Sequence, residues 1–168
     1  LWSGTRKAMD QAAVLLLGKD FEERAQVLAV RYAKAGGDPF GLDLHAAKVA
    51  LMTCSMFHRL WFRTEVRGVE NLPEGRVLLI ANHSGQIPID GAMIGATLFL
   101  DANPPRMIRA MVEKWSQTLP FVSTFFSRVG QVVGVPENAR RLLEMEEALL
   151  VFPEGTRGIS KPFTRRYQ

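Results

Sequence analysis

Two residues whose types suit proton transfer, His83 and Asp90, lie in one stretch, IANHSGQIPID, which begins at Ile80. The apolar run Val77 to Ala81 stops just before the Asn82-His83 pair. A carboxylate that accepts a hydrogen bond from one imidazole nitrogen fixes the tautomer, and the other nitrogen can then act as a base. The alternative interpretation is a strand end followed by an ordinary turn, in which the histidine is structural.

A second stretch with chemical potential is VFPEGTRG, which begins at Val151. Gly155 permits backbone conformations in which N–H groups face a ligand. Thr156 offers a hydroxyl group, and the planar guanidinium of Arg157 suits a phosphate. The alternative is a tight turn followed by a solvated arginine.

Both stretches follow predicted strands, and strands alternate with helices along this part of the chain. The pattern predicts an α/β fold with a largely parallel sheet flanked by helices, and places both stretches at the carboxyl edge of the sheet, where such folds bind ligands. The uninterrupted apolar run at 77–81 predicts a strand buried on both faces. The predicted strands are Thr64–Val69, Val77–Ala81, Met107–Val112, Gln131–Val135 and Ala148–Phe152; the predicted helices between them are Ala92–Leu100 and one from Pro136 to about Glu147.

Helices are predicted to precede the sheet. The first covers Thr5 to Leu17, and the second follows Asp20, which is expected to be its N-cap, with Glu23 in capping-box position. The third, Leu42 to Phe62, is apolar around most of its circumference. It suits either a protein core or a membrane interface, where its basic residues would meet lipid headgroups. We expect residues 1–63 to form an N-terminal helical region and residues 64–168 the α/β domain.

Composition excludes several classes of protein. The single cysteine, Cys54, rules out an internal disulfide framework and a cysteine-based zinc site. No apolar run reaches the ~18 residues of a membrane span. The net charge of +4 favours an anionic partner. The sequence has no serine-hydrolase elbow, no P-loop and no nucleic-acid reading motif, so nucleic acid is not expected as a partner.

Taken together, the two stretches resemble the motifs of the glycerolipid acyltransferase family, the lysophosphatidic acid acyltransferases and their relatives. In that family a His…Asp motif is followed by a Pro-Glu-Gly motif, and the match of Phe-Pro-Glu-Gly-Thr-Arg is long and specific. The resemblance covers about Leu60 to the C-terminus. It implies transfer of a fatty acyl group from acyl-CoA or an acyl carrier protein thioester to the hydroxyl of a lysophospholipid or related lipid alcohol.

By this resemblance His83 is the general base, Asp90 orients it, and no covalent acyl-enzyme forms. Glu154, Gly155, Thr156 and Arg157 match the motif that shapes the acceptor site. The resemblance implies no bound cofactor and no metal. The expected partners are the acyl thioester donor, the lipid acceptor and a membrane surface, so the protein is expected to be a peripheral membrane protein on the cytoplasmic face.

The sequence departs from the family pattern in three places. Six residues separate His83 from Asp90 where the family motif has four, so two residues must loop out for the pair to meet. Pro136 stands where the family has an arginine that holds acceptor phosphate, and Arg140 or Arg141 would have to supply that charge. The chain also stops soon after the Pro-Glu-Gly motif, so the sheet is expected to be incomplete at the C-terminus.

Two alternative functions remain open at this stage. One is a non-catalytic lipid- or membrane-binding module with the same fold. The other is a thioesterase, in which the same base activates water instead of a lipid hydroxyl.

Overall fold

A computed structural model describes residues 17–18, 20–83, 87–155 and 164, and these form an α/β fold. Within this part of the chain, four parallel strands make one sheet in the order β1-β4-β2-β3. The parallel sheet preceded by helices confirms the predicted fold class. The strands are β1 (Val77–Ile80), β2 (Ile108–Val112), β3 (Val132–Val133) and β4 (Ala148–Val151); the helices are α1 (Phe21–Lys34), α2 (Leu44–Met56), α3 (Ile89–Leu100), α4 (Val122–Arg128) and α5 (Pro136–Glu144).

Three short helical segments complete the described elements. A π-helix, Phe57–Trp61, continues α2, and together they correspond to the helix predicted over Leu42–Phe62. One 3₁₀ helix, Val69–Asn71, precedes β1, and another, Lys114–Thr118, follows β2.

The prediction of a strand at Thr64–Val69 is wrong. Residues 63–67 have irregular backbone, and the amide of Thr64 donates to the carbonyl of His58 at 2.9 Å, which closes the end of the π-helix. Gly68, at φ +79°, then takes a left-handed conformation that an extended strand cannot contain. The chain therefore turns here instead of pairing with a neighbouring strand.

The prediction that β1 is buried on both faces is also wrong. Among the described residues, β1 pairs only with β4 and lies at an edge of the sheet, where Leu78 and Ile80 are 47% and 67% exposed. The strand with a buried interior is β4, whose residues Ala148 to Leu150 are almost fully enclosed between β1 and β2.

The N-terminal helices pack on α3. The helix predicted at Thr5–Leu17 lies outside the described residues except for its last position. α1 begins directly after Asp20, as predicted, but the capping-box prediction is wrong because the Asp20 side chain caps no amide and instead pairs with Arg24 at 3.3 Å. One apolar cluster joins α1, α2 and α3: Phe21, Leu28, Tyr32, Ala47, Leu51, Ala96, Phe99 and Leu100.

A glycine lets α3 approach the sheet closely. A Cβ atom on Gly95 would lie 2.9 Å from the Cγ2 atom of Ile108 on β2, closer than two carbon atoms can pack. The helix is thus held against the sheet by its middle turns. Its N-terminal turn is thereby fixed at the carboxyl edge, beside the end of β1.

A buried ion pair ties the segment after α1 to β2. The Arg109 guanidinium is fully buried and contacts the Asp38 carboxylate at 2.6 and 3.2 Å, while its Nε atom donates to the carbonyl of Gly130 at 2.8 Å. Burial alone would raise the pKa of Asp38, but hydrogen bonds from Arg109 and from backbone amides outweigh it and leave the pKa below its ordinary value. The carboxylate is therefore charged in the folded protein at neutral pH.

Candidate active site

His83 leaves the sheet at its carboxyl edge. The ladder between β1 and β4 extends one residue beyond β1, because the amide of Ala81 donates to the carbonyl of Val151 at 3.2 Å. Two residues later the chain reaches His83, which is partly buried. A short apolar strand followed by polar residues therefore presents the imidazole at the place where parallel sheets carry binding sites.

Asp90 approaches the same edge from the first turn of α3. Its Oδ1 atom accepts a hydrogen bond from the amide of Gly91 at 2.8 Å. The N-terminal turn of a helix also carries a partial positive charge from the aligned peptide dipoles, which favours an ionised carboxylate. Backbone and helix together hold the carboxylate group in place.

The structure brings these two predicted residues together. Nδ1 of His83 lies 2.9 Å from Oδ2 and 3.0 Å from Oδ1 of Asp90, so the six intervening residues allow direct contact. The side chains are 14% and 19% exposed, which shields the hydrogen bond yet leaves the pair within reach of a substrate.

The contact determines which imidazole nitrogen can act. A carboxylate only accepts hydrogen bonds, so the proton of the neutral ring resides on Nδ1 and Nε2 carries the lone pair. Within the described ranges, no side chain or backbone group is hydrogen-bonded to Nε2 of His83. The arrangement is thus that of an oriented general base.

An aromatic ring that sequence reasoning missed supports the imidazole. Phe152, the first residue after β4, stacks on His83 with ring centroids 4.4 Å apart and an angle of 27° between the planes. The far edge of the Phe152 ring lies 3.5 Å from the position that a Cβ atom on Gly91 would occupy. Phe152 therefore packs against both the imidazole and the first turn of α3, and it limits rotation of the imidazole. The signal available in the sequence was its position directly after a predicted strand, next to the Pro-Glu-Gly motif.

The turn after β4 also reaches β2. Glu154 and Gly155 follow Phe152 at the carboxyl edge, and Gly155 has φ +51°. A Cβ atom there would lie 2.5 Å from Oε1 of Glu113, so the Glu113 carboxylate packs directly on the glycine. Sequence reasoning missed Glu113, although it is the first residue after β2. The other two predicted acceptor-site residues, Thr156 and Arg157, lie outside the described residues.

Other candidate groups lie elsewhere. Arg141, one of the two arginines expected to replace the missing family arginine, has its guanidinium carbon 5.3 Å from the centroid of the Phe40 ring. In the described part of the chain, no group of three or more His, Cys, Asp and Glu residues could hold a metal ion. No described helix is long and apolar enough to cross a membrane.

Comparison with known proteins agrees with this geometry. The family model for acyltransferases matches residues 63–165, which include both strand-end motifs. The chain belongs to the acyltransferase family. The resemblance to glycerolipid acyltransferases is thereby confirmed, and acyl transfer is the chemistry of the domain in general terms.

Relatives of this acyltransferase occur in mycobacteria. The chain is 37% identical over 133 residues to an uncharacterized protein of Mycobacterium leprae, and the match covers 78% of this chain and 36% of that protein. It is 35% identical over 133 residues to uncharacterized proteins of Mycobacterium bovis and Mycobacterium tuberculosis, with 78% of this chain and 37% of each protein covered. The chain thus spans little more than a third of the length of these relatives. No solved structure matches it.

Proposed function

We propose that this acyltransferase moves a fatty acyl group from a thioester, acyl-CoA or an acyl carrier protein, to the hydroxyl of a lysophospholipid or related lipid alcohol. The observation that carries the proposal is the hydrogen bond of 2.9 Å between Nδ1 of His83 and Asp90, which leaves Nε2 as a base at the carboxyl edge. The acyltransferase family match supports the reaction class.

In the proposed reaction, Nε2 of His83 takes the proton of the acceptor hydroxyl while the hydroxyl oxygen attacks the thioester carbonyl carbon. An alcohol is far too weak an acid to ionise first, so proton transfer and attack must be concerted. The negative charge of the Asp90 carboxylate stabilises the imidazolium that forms. When the tetrahedral intermediate collapses, the carbon–sulfur bond breaks, the ester is released, and the thiolate takes the proton from Nε2.

The second motif would bind the acceptor in this scheme. Glu154 and Gly155 lie at the same edge of the sheet as His83, on the neighbouring strand end. Thr156 and Arg157 follow directly in sequence. We propose that the Arg157 guanidinium meets a phosphate or other anionic part of the acceptor, because its planar fork binds such groups through paired hydrogen bonds. Acyl transfer needs no cofactor or metal in this scheme.

The apolar surroundings of the pair support a lipid substrate. Ile80, three residues before His83, is 67% exposed, and Ile87, three residues before Asp90, is 71% exposed. Exposed large aliphatic side chains beside a catalytic pair suit an acyl chain or a lipid tail better than a hydrophilic acceptor. A lipid tail that covers them would remove this apolar surface from water.

A membrane surface is the proposed location of the reaction, with the thioester donor on the cytoplasmic side. One face of α2 and the π-helix is buried, whereas the opposite face is apolar and exposed to solvent. A second exposed apolar group lies after β2. The first group consists of Val49, Met52, Met56, Phe57, Leu60, Trp61 and Phe62, and the second of Trp115, Leu119, Phe121 and Phe125. Such faces bind the membrane interface through their apolar side chains.

The function is tested by incubating the full-length protein with pairs of acyl thioesters and lipid alcohols and identifying the products by mass spectrometry. We expect an ester that contains the acyl chain of the donor. Free fatty acid as the main product in the presence of every acceptor would instead identify a thioesterase. Vesicle binding without consumption of any thioester would identify a non-catalytic module.

Membrane association has a separate test. Trp61→Ser removes the most exposed side chain of the first apolar group, which is 73% exposed, and we expect it to lower the fraction of protein that sediments with vesicles. Val27→Ser, on the exposed side of α1, is the matched control because it removes an exposed apolar side chain elsewhere. Equal vesicle binding by both variants and the unmodified protein would contradict the proposed membrane face.

A further inference from the structure

A cavity whose lining includes two arginine side chains lies away from the catalytic pair. It has a volume of about 560 Å³ and is lined by His58, Arg59, Arg63, Thr64, Val66, Val69 and Asp101. Its contact with α3 is at the opposite end from Asp90, because His58 is hydrogen-bonded to Thr97. Thr97 lies seven residues beyond Asp90, or about 10 Å along the helix axis at ~1.5 Å per residue. The cavity is therefore separate from the candidate active site.

Two unusual backbone features place the cations. His58 and Arg59 belong to the π-helix, where the amide of Phe62 donates to the carbonyl of Phe57 at 2.9 Å. Arg63 has φ +46°, a left-handed conformation that is uncommon for a residue with a side chain. π-helical turns and left-handed residues other than glycine recur at functional sites, since each costs free energy that the rest of the fold must offset.

One buried polar atom of the lining residue His58 lacks a partner. The His58 side chain is only 5% exposed, and its Nε2 atom lies 2.9 Å from Oγ1 of Thr97. Its Nδ1 atom is buried and has no hydrogen-bond partner among the described residues. Buried nitrogen atoms are normally paired, and when the Thr97 hydroxyl donates to Nε2, Nδ1 carries a proton for which the described residues supply no acceptor.

The charge balance of the cavity favours an anion. In the part of the chain that the structure describes, neither Arg59 nor Arg63 forms an ion pair, and the cavity contains a single carboxylate, that of Asp101. The Arg59 guanidinium lies against Gly18, where a Cβ atom would be 2.6 Å from it. Two guanidinium groups and the Thr64 hydroxyl make a donor set that suits the several oxygen atoms of a phosphate.

We propose that the cavity between the π-helix and the end of α3 binds a phosphate group through Arg59 and Arg63, beside His58. The phosphate comes either from a lipid headgroup or from a soluble phosphate compound. Exposed apolar side chains on the same turns, Leu60 and Trp61, would lie in the lipid tails when a headgroup occupies the cavity. The proposal does not depend on acyl transfer, because it concerns binding at a different place on the protein.

Binding is measured directly on the full-length protein, with His58 observed by NMR. The probes are inorganic phosphate and vesicles of phosphatidylcholine with or without phosphatidic acid. Burial chiefly lowers the pKa of His58, the Arg59 charge lowers it further, and Asp101 opposes both. A bound phosphate adds negative charge, so we expect the His58 resonance to shift and the pKa of His58 to rise in its presence.

Three substitutions distinguish a built site from general positive charge. Arg59→Gln and Arg63→Asn each remove one cation, and asparagine tolerates the left-handed backbone at position 63. We expect each variant to weaken binding about tenfold or more, as for a hydrogen bond to a charged group. Arg67→Gln is the charge-matched control, since Arg67 is 90% exposed and does not line the cavity. It should bind as tightly as the unmodified protein.

The outcomes separate the two sources. A His58 response to inorganic phosphate identifies a site for soluble phosphate compounds as well as headgroups. A response only to vesicles with phosphatidic acid, weakened by Arg63→Asn and not by Arg67→Gln, identifies a headgroup site. The proposal is overturned if neither probe changes the His58 resonance, or if Arg67→Gln weakens binding as much as Arg63→Asn does.

Discussion

Replacing Asp90 by asparagine perturbs the candidate active site at a single atom. The amide has nearly the same size as the carboxylate, so it fits the first turn of α3. It can keep the contact with Nδ1 of His83, which lies 2.9–3.0 Å from the carboxylate oxygens in the unmodified protein. The substitution removes the negative charge and adds an NH₂ group that can donate a hydrogen bond. When the amide donates to Nδ1, the ring proton moves to Nε2, and the base is lost.

The expected loss of rate follows from these two effects. Loss of the charge removes a hydrogen bond to an ionised group, worth about 1.5–3 kcal/mol, from the transition state in which the imidazole is positive. At ~1.36 kcal/mol per tenfold change, this lowers kcat about 10- to 160-fold. If the wrong tautomer also predominates, the loss approaches the full contribution of a general base, about 10²- to 10⁴-fold. We therefore expect a decrease of at least about tenfold.

The assay is steady-state consumption of acyl thioester with a lipid acceptor, using the full-length protein and Asp90→Asn. Glu65→Gln is the control because it removes a carboxylate that is 85% exposed and pairs with Arg67 instead of His83. Unfolding temperatures establish that each variant is folded. If folded Asp90→Asn keeps the kcat of the control, Asp90 does not orient the base and the reasoning is refuted.

Three further predictions concern the surroundings of the pair and the stability of the fold. Gly155→Ala should reduce acyl transfer because its Cβ atom would displace the Glu113 carboxylate. Gly36→Ala is the control and should keep full activity, because Gly36 also has a positive φ but faces open space. Equal activities of the two variants would contradict the clash. Phe152→Leu should lower kcat about 2- to 13-fold through loss of ring stacking worth ~0.5–1.5 kcal/mol, without a change in thioester KM, and an unchanged kcat would exclude that role. Asp38→Asn should lower the free energy of unfolding at neutral pH by about 3–5 kcal/mol, since it leaves a buried guanidinium unpaired. Because the pKa of Asp38 is lower in the folded protein, the ionised carboxylate stabilises the fold fully above its unfolded pKa of ~4. The free energies of unfolding of the unmodified protein and Asp38→Asn, measured in denaturant, should therefore converge as the pH falls below that value. A difference that stays constant with pH would contradict the ion pair.

Local sequence was sufficient to predict the elements around the catalytic pair. The apolar run before His83, the turn residues after it and the apolar pattern up to Leu100 predicted a strand, a loop and a helix. The structure has the strand at Val77–Ile80 and the helix at Ile89–Leu100, which begins three residues before the predicted Ala92 and therefore includes Asp90. Contact between His83 and Asp90 needed only that the loop return to the start of the following helix. Local propensity therefore decides this part of the site.

Strand order could not be predicted in this way. The runs Val77–Ile80 and Ala148–Val151 are equally apolar, yet the first is an edge strand and the second is central. Only pairing with distant strands decides which of the two is enclosed. The same holds for Phe152 and Glu113, which approach His83 and Gly155 because β4 pairs with both β1 and β2.

The central claim is that the Nε2 atom of His83 removes the proton from the acceptor hydroxyl. Its most direct test is the turnover of His83→Ala in the full-length protein, with acyl thioester and lipid acceptor both present and the ester product quantified. Loss of the general base should lower ester formation about 10²- to 10⁴-fold while the protein remains folded. Ester formation by folded His83→Ala at the rate of the unmodified protein would contradict the claim.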